Sequence, residues 1–291
     1  RAAQGYRGLA PAAVSIVQQL ADVCRTFLGP DEVAVELRLA PRDRAVGREF
    51  ESASSQSDRV ALQVHAIDGV RPTLPGGPMV KVISLAGLED SHVLDAAGEV
   101  AVELDTDQIA IVIGPASALC DRLAGDLYDA RKAAIQTGGE DYGSALVAAF
   151  KLPRGLWRDA HRQNLGIWVL RGLVTVSVAV VADLSGAQVD GADLAADTLG
   201  ALEQTGARAY RYGRALPYNT VWTRDTVVPP GVVAMPSAGI DAATAYDRLL
   251  SSTLVTREPI AGFDLPAARS ATPAPVVTRS LGELIADGRI R

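Results

Sequence analysis

Hydrophobic positions change their spacing along this chain, and the spacing divides it into elements. Between residues 11 and 28, Val14, Val17 and Leu20, with Ile16 and Val23 nearby, recur at the interval that puts side chains on one face of a helix. Gly29 followed by Pro30 ends that run. Short apolar stretches follow at 33–39, 60–67, 79–85, 100–104 and 109–113, separated by polar or Gly/Pro-rich text such as "ESASSQSD" and "RPTLPGGP". This pattern predicts strands joined by loops.

The texture changes after Ile113. "IAIVIGPASALCDRLAGDLYDARKAAIQTGG" reads as a buried strand, a Gly114-Pro115 turn and a helix whose Leu119, Leu123, Leu127, Ala130 and Ala134 share a face, closed by Gly138-Gly139. Strands at 145–152, 165–170 and 174–184 come next, then a helix at 192–204 with Leu194, Thr198, Leu199 and Leu202 on one side. Strands that are apolar throughout, with no alternation, belong to a sheet covered on both faces. The element order therefore predicts an α/β domain over 1–206, a mixed sheet with flanking helices. Residues 207–291 are rich in Pro, Arg and small side chains and read as a connector over the surface. Within the connector a helix is expected at 241–254. A short one is expected at 280–287, where Ser280 and Glu283 have capping-box spacing. The pattern begins at Arg1 and stops at Arg291 in mid-course, as expected of a piece of a longer polypeptide.

Composition narrows the chemistry. With 291 residues, 48% of them hydrophobic, the chain can bury a large core without staples. Cys24 and Cys120 are far apart, and His65, His92 and His161 stand singly, so neither a disulfide framework nor a zinc spacing is present and a reducing cytoplasm is the expected setting. The longest apolar run, 173–182, is about half of what a bilayer requires, and no basic-plus-hydrophobic leader opens the chain. A net charge of −6 argues against a general polyanion-binding surface, so any nucleic-acid site must be a local patch. The motifs GxGxxG, GxxxxGK[ST] and GxSxG are all missing, which disfavours dinucleotide enzymes, P-loop NTPases and serine hydrolases. His65 reads as a core or edge residue of a strand, and His92 as a cap or surface residue in a loop.

One stretch mounts guanidinium, indole and imidazole groups between two buried strands: "KLPRGLWRDAHRQNLGIWVLRG", residues 151–172. If 156–162 is helical, Arg154, Arg158 and Arg162 fall at i, i+4 and i+8 and make one guanidinium stripe, with Leu156 and Trp157 as anchors. Such a stripe can contact phosphates; a solvated polar face is the other reading of the same residues. Arg154, Trp157, Arg158, His161 and Arg162 are the candidate contacts to DNA or a partner.

The ordered strand endings carry a resemblance. "IAIVIGPASALCDRL", "ALVAAFKLPRGLW", "LGIWVLRG" and "TVSVAVVADLSG" are similar to the later half of the N6-adenine DNA methylase family, the modification-subunit type of type I restriction systems. The likeness is closest over 109–206 and looser over 207–291. It implies a Rossmann-like methyltransferase-type sheet, S-adenosylmethionine as cofactor, DNA and other subunits of a modification or phage-defence complex as partners, and a target-recognition region entered through "TRSLGELIADGRIR". Family members hold the methyl donor in an acidic, glycine-rich loop after the first strand and the flipped adenine with an Asn/Asp-Pro-Pro-Tyr/Phe motif. Here "APRDRAVG" and "AGLEDSHVLD" follow the strands at 33–39 and 79–85. Pro229-Pro230 follows Val228, and Leu216-Pro217-Tyr218-Asn219 has the wrong order. Transfer needs both a held donor and an extruded base. The expectation is therefore a methylase-family protein without assigned catalytic or cofactor-binding residues; the alternative is a non-catalytic DNA-binding or assembly subunit on the same fold.

Overall fold

Strands apolar on both sides need two layers of cover, and the chain supplies them in alternation. The computed structural model describes residues 8–29, 33–39, 62–66, 77–136, 144–172, 176–204 and 209–234. The helices expected at 241–254 and 280–287 fall in a second unit, 237–291, which lies outside the described residues. In chain order the elements are α1 (Pro11–Leu28), β1 (Ala34–Leu39), β2 (Leu62–Ala66), β3 (Met79–Ser84), α2 (Asp90–Glu103), β4 (Gln108–Pro115) and α3 (Ala116–Leu119). They continue with α4 (Asp126–Ile135), β5 (Leu146–Arg154), β6 (Asn164–Arg171), β7 (Val178–Asp183), α5 (Gly191–Glu203), β8 (Arg214–Pro217) and α6 (Tyr218–Thr223).

The strands form one mixed eight-stranded sheet in the order β2-β1-β3-β4-β6-β5-β7-β8. β6 runs antiparallel to both β4 and β5, β8 runs antiparallel to β7, and the remaining pairs are parallel. The carboxyl ends of β1, β2, β3, β4, β5 and β7 therefore share one edge with the amino ends of β6 and β8. Every residue of β3 and of β4 is buried, the polar Lys81, Ser84 and Gln108 among them, as in a sheet covered on both faces. On one face Val35, Val80, Ile111, Val169 and Val180 pack with Val14, Val17 and Leu20 of α1 and Leu194 of α5. Val112, Trp168 and Val181 point to the other face, among residues of α2, α3 and α4 and Val221 of α6. No helix among the described residues is long and apolar enough to cross a membrane.

The spacing rules fail where two periods compete. Residues 100–104, expected as a strand because of their valines, instead finish α2: Val93, Leu94, Ala97, Val100 and Ala101 are buried at helical intervals, and that period overrides the β preference of valine. His92 lies in the first turn of this helix and is exposed, where a loop was expected. The single helix expected after Pro115 is broken into α3 and α4, because Leu123 N–H leaves the helical path to donate to Asp225 O at 3.0 Å. The strand expected from residue 174 begins at Val178. Residues 209–234, expected to run as a surface connector, add β8 to the sheet edge and bury Val221, Val227 and Val228.

Close approach is set by Gly166. A Cβ there would meet Leu119 Cβ at 3.1 Å, Ala116 Cα at 3.2 Å and Cys120 Sγ at 3.2 Å, so its bareness lets α3 lie directly on β6. Behind it, Trp168 is fully buried and donates its indole N–H to Leu119 O at 2.8 Å, which fixes the helix end to the sheet.

Asp197, 3% exposed on α5, holds the turn that leads into β8. Its carboxylate accepts the backbone N–H groups of Arg211 (2.6 Å), Tyr212 (2.7 Å) and Gly213 (2.7 Å). Removing the carboxylate leaves three backbone donors, that of Gly213 buried, to find other partners. We predict that Asp197→Ala lowers stability by about 2 kcal/mol, the middle of the range for a buried polar group left unpaired, measured by urea denaturation. A loss below about 0.5 kcal/mol, the range of ordinary surface substitutions, would show that the turn holds itself.

Candidate functional site

In an open α/β sheet, ligands sit outside the carboxyl ends of strands, above all where the strand order reverses. Here the chain steps outward from β1 to β2 and returns to the far side of β1 with β3, so one crevice lies between β1 and β3. The segments that follow β1 and β2, 40–61 and 67–76, lie outside the described residues. After β3 the chain fills its own space: Leu85 and Ala86 are each 1% exposed, Leu85 N–H donates to Ile113 O at 2.7 Å, and Leu88 N–H closes a turn onto Leu85 O. On β1, Arg38 Nε donates to Glu36 at 2.6 Å and its guanidinium reaches Glu103 at 3.3 Å. The described residues after β3 and on β1 are thus engaged with one another, and none of them is assigned a contact to the S-adenosylmethionine that the resemblance implies. No group of three or more His, Cys, Asp or Glu side chains among the described residues could hold a metal ion.

The other half of the edge is crossed by residues 225–232. Val228 N–H donates to Cys120 O at 3.1 Å, just beyond β4. Arg131, 2% exposed on α4, gives its guanidinium to Asp121 O and Asp225 O, both at 2.5 Å. At the far end Asp183 N–H donates to Val232 O at 2.7 Å, while the Asp183 carboxylate accepts Gly231 N–H at 2.8 Å and Ser185 N–H at 3.1 Å. Lys151 stands opposite Asp183 in the β5–β7 register and bonds Asp121 at 2.6 Å. Cys120 and Cys24 are fully buried, and burial pushes both thiols up, away from the reactive thiolate.

The arginine-bearing segment leaves this edge between β5 and β6. No helix forms over 156–162, so the expected i, i+4, i+8 stripe is replaced by a loop. The loop is built from the chain's own amino end: Leu9 pairs with Trp157 in an antiparallel bridge, Ala10 N–H donates to Leu156 O at 2.9 Å and Arg158 N–H to Gly8 O at 2.8 Å. Gly155 N–H closes the loop onto His161 O at 3.1 Å, and Asn164 Nδ2 donates to Leu152 O at 2.8 Å. Those backbone bonds occupy the groups that a helix would have used. Leu156 and Trp157 are buried as the anchors expected, and the Trp157 indole donates to Asn164 O at 3.4 Å. At 1% exposure the Trp157 ring lies under the loop, leaving its surface to the others. Arg154, Arg158, His161 and Arg162 are exposed, and their side chains have no hydrogen-bond or ion-pair partner among the described residues. Sequence reasoning missed Lys151, Asp121, Asp183 and Arg131. Their only signal was a polar residue at the end of an apolar run, and their partners come from distant segments.

The charge cluster makes the edge pH-sensitive at both limits. Burial raises the Asp183 carboxyl, but the Gly231 N–H, the two Ser185 bonds and the Lys151 charge outweigh it, and the group sits below its ordinary 3.8. Burial lowers Lys151, yet its bond to Asp121 and the charges of Asp121 and Asp183 carry it above its ordinary 10.5. A depressed carboxyl stabilises the fold above its unfolded value and loses that contribution as pH falls through the folded one; a raised ammonium does the reverse at high pH. The advantage of the natural protein over Asp183→Asn should shrink below about pH 4, and its advantage over Lys151→Met, about 1 kcal/mol for a half-exposed pair, should fade above about pH 10.5. Urea midpoints across that range check both, and advantages that do not vary with pH would contradict them.

No family model matches the chain, and no curated protein matches it. Solved structures similar to it include the methyltransferase subunit of a type I restriction-modification system from Streptococcus thermophilus, 11% identical, with a TM-score of 0.49 over 75% of this chain and 58% of that one. A chain of a type I restriction-modification complex, solved for its assembly and conformational transition, is 8% identical with a TM-score of 0.49, over 85% of this chain and 65% of that one. The type IIG restriction endonuclease BpuSI is 14% identical with a TM-score of 0.46, over 76% and 32%. This chain thus spans less than two thirds of the length of the type I proteins it matches. Structural neighbours of this chain thus include type I restriction-modification methyltransferase subunits.

Proposed function

We propose that this chain is a DNA-binding subunit of a cytoplasmic modification or phage-defence assembly, on a methylase-like α/β fold, that binds DNA without itself transferring a methyl group. The observation that carries this reading is the loop between β5 and β6. It projects Arg154, Arg158, His161 and Arg162 into solvent with no acidic partner among the described residues, on backbone fixed by the buried Leu156 and Trp157. In a protein of net charge −6, three unpaired guanidinium groups on one short loop form a local cationic patch. Arginine presents a planar fork of donors that matches phosphate oxygens, and contacts of that kind set position on a duplex without reading its sequence. Asp159, exposed in the same loop, offsets part of this charge.

The second half of the proposal concerns S-adenosylmethionine. After β3 the chain buries Leu85 and Ala86 where a donor or a base would need open space, and this supports binding over transfer. The domain organisation that fits this role is a sheet domain that includes residues 209–234, in place of the boundary expected at 206, with the residues beyond 236 leading toward a target-recognition region and toward other subunits.

Arg158→Glu combined with Arg162→Glu should weaken duplex affinity by about tenfold or more, because each lost phosphate contact also removes a released counterion. The log–log salt slope should become shallower. Fluorescence anisotropy of a labelled duplex at two ionic strengths checks this, and unchanged affinity at low salt would contradict the proposed contact. Calorimetric titration with S-adenosylmethionine should give no binding heat; saturable heat at unit stoichiometry would restore the enzymatic reading.

A further inference from the structure

Beside β8, the last strand of the sheet among the described residues, lies a pocket of about 310 Å³ lined in part by Arg214, Leu216 and Arg224. It lies two places from β5 in the strand order, at a different position from the arginine loop. Its remaining wall is residues 229–232. Pro229 and Pro230 have no N–H to offer. Val232 N–H is spent on Pro229 O at 3.1 Å, and Gly231 N–H on the Asp183 carboxylate at 2.8 Å. Gly231 takes φ +70°, the left-handed value that the third position of a Pro-Gly turn requires and that favours glycine. The wall is therefore a fixed apolar surface without free donors, clamped to the carboxyl end of β7 by bonds at both faces of Asp183.

Any charge recognition in this pocket thus falls to the guanidinium groups of Arg214 and Arg224. Both are exposed, and neither has a hydrogen-bond or ion-pair partner among the described residues. The neighbouring acids are engaged elsewhere: Asp225 pairs with Arg122 at 2.6 Å, and Asp183 faces the turn and Lys151. Two full positive charges lining one pocket match one phosphate better than one carboxylate, since each fork can take two oxygens. Proline rings and Leu216 give a flat, apolar seat for whatever carries that phosphate. We infer that this pocket is a phosphate subsite, independent of the loop between β5 and β6, that takes a phosphorylated group with an apolar or planar neighbour, as in a nucleotide or a nucleic-acid strand.

Ligand-observed saturation-transfer NMR on the full chain tests the assignment with thymidine 5′-monophosphate, thymidine, acetate and a short oligothymidylate. Thymidine 5′-monophosphate should bind and thymidine should not, and Arg214→Ala or Arg224→Ala should each weaken binding about tenfold while leaving the urea midpoint unchanged. Arg158→Glu with Arg162→Glu should leave mononucleotide binding intact, which separates this pocket from the loop. Stronger binding of the mononucleotide would identify a terminal phosphate as the natural group; stronger binding of the oligomer would identify an internal phosphodiester. Equal binding of thymidine and its phosphate, competition by acetate at the same concentration, or a double alanine variant that binds as the natural protein does would each overturn the inference.

Discussion

The 225–232 segment is tied across the carboxyl edge of the sheet by bonds to backbone, and much else depends on that tie. Arg131 and Asp183 are its fixed points. One is a buried cation giving donors to carbonyls, the other a carboxylate collecting N–H groups, and each satisfies polar atoms that an apolar edge cannot. A partner lost at the buried Arg131 would leave a charge facing low-dielectric surroundings, which costs more than the bond itself gained. The result is an edge that the chain occupies with its own residues between β4 and β7.

That occupation decides what the edge can do. Catalysis on a base needs open volume for two ligands brought together, whereas binding to a phosphate backbone needs only fixed, unpaired cations at the surface. Exposed, unpaired cations among the described residues are the observation behind the proposal of binding without transfer. Leu9 and Trp157 bury the root of the arginine loop, so its charges are presented on a stiff base, which reduces the ordering entropy lost on contact. At β8 a turn held by Asp183 lies beside two further exposed arginines, Arg214 and Arg224, in the lining of one pocket.

Much of the fold was legible because buried strands and one-sided helices leave strong periodic signals. β3, β4 and β6 are apolar almost without interruption, and α1 and α5 fall within a residue or two of their expected spans. Failures cluster where tertiary bonds outvote local preference. Val100 and Ala101 belong to a helix because their burial period is helical, and α3 parts from α4 because Asp225, about a hundred residues away in sequence, accepts Leu123 N–H. The candidate site was legible as a set of residue types and not as a shape. Arg154, Arg158, His161 and Arg162 do share one exposed segment, but the spacing suggested a helix, and nothing local announced that residues 8–10 would claim its backbone instead. Asp121, Lys151 and Asp183 come together only through sheet order, which no single stretch of sequence encodes.

The central claim is that this methylase-like edge holds DNA and does not alkylate it. Incubation of the chain with an unmethylated duplex and tritiated S-adenosylmethionine, under conditions where the duplex is demonstrably bound, tests it most directly. The account predicts a retained DNA complex with no tritium in the DNA above a no-protein control. Adenine-linked tritium that accumulates with time and with protein concentration would contradict it.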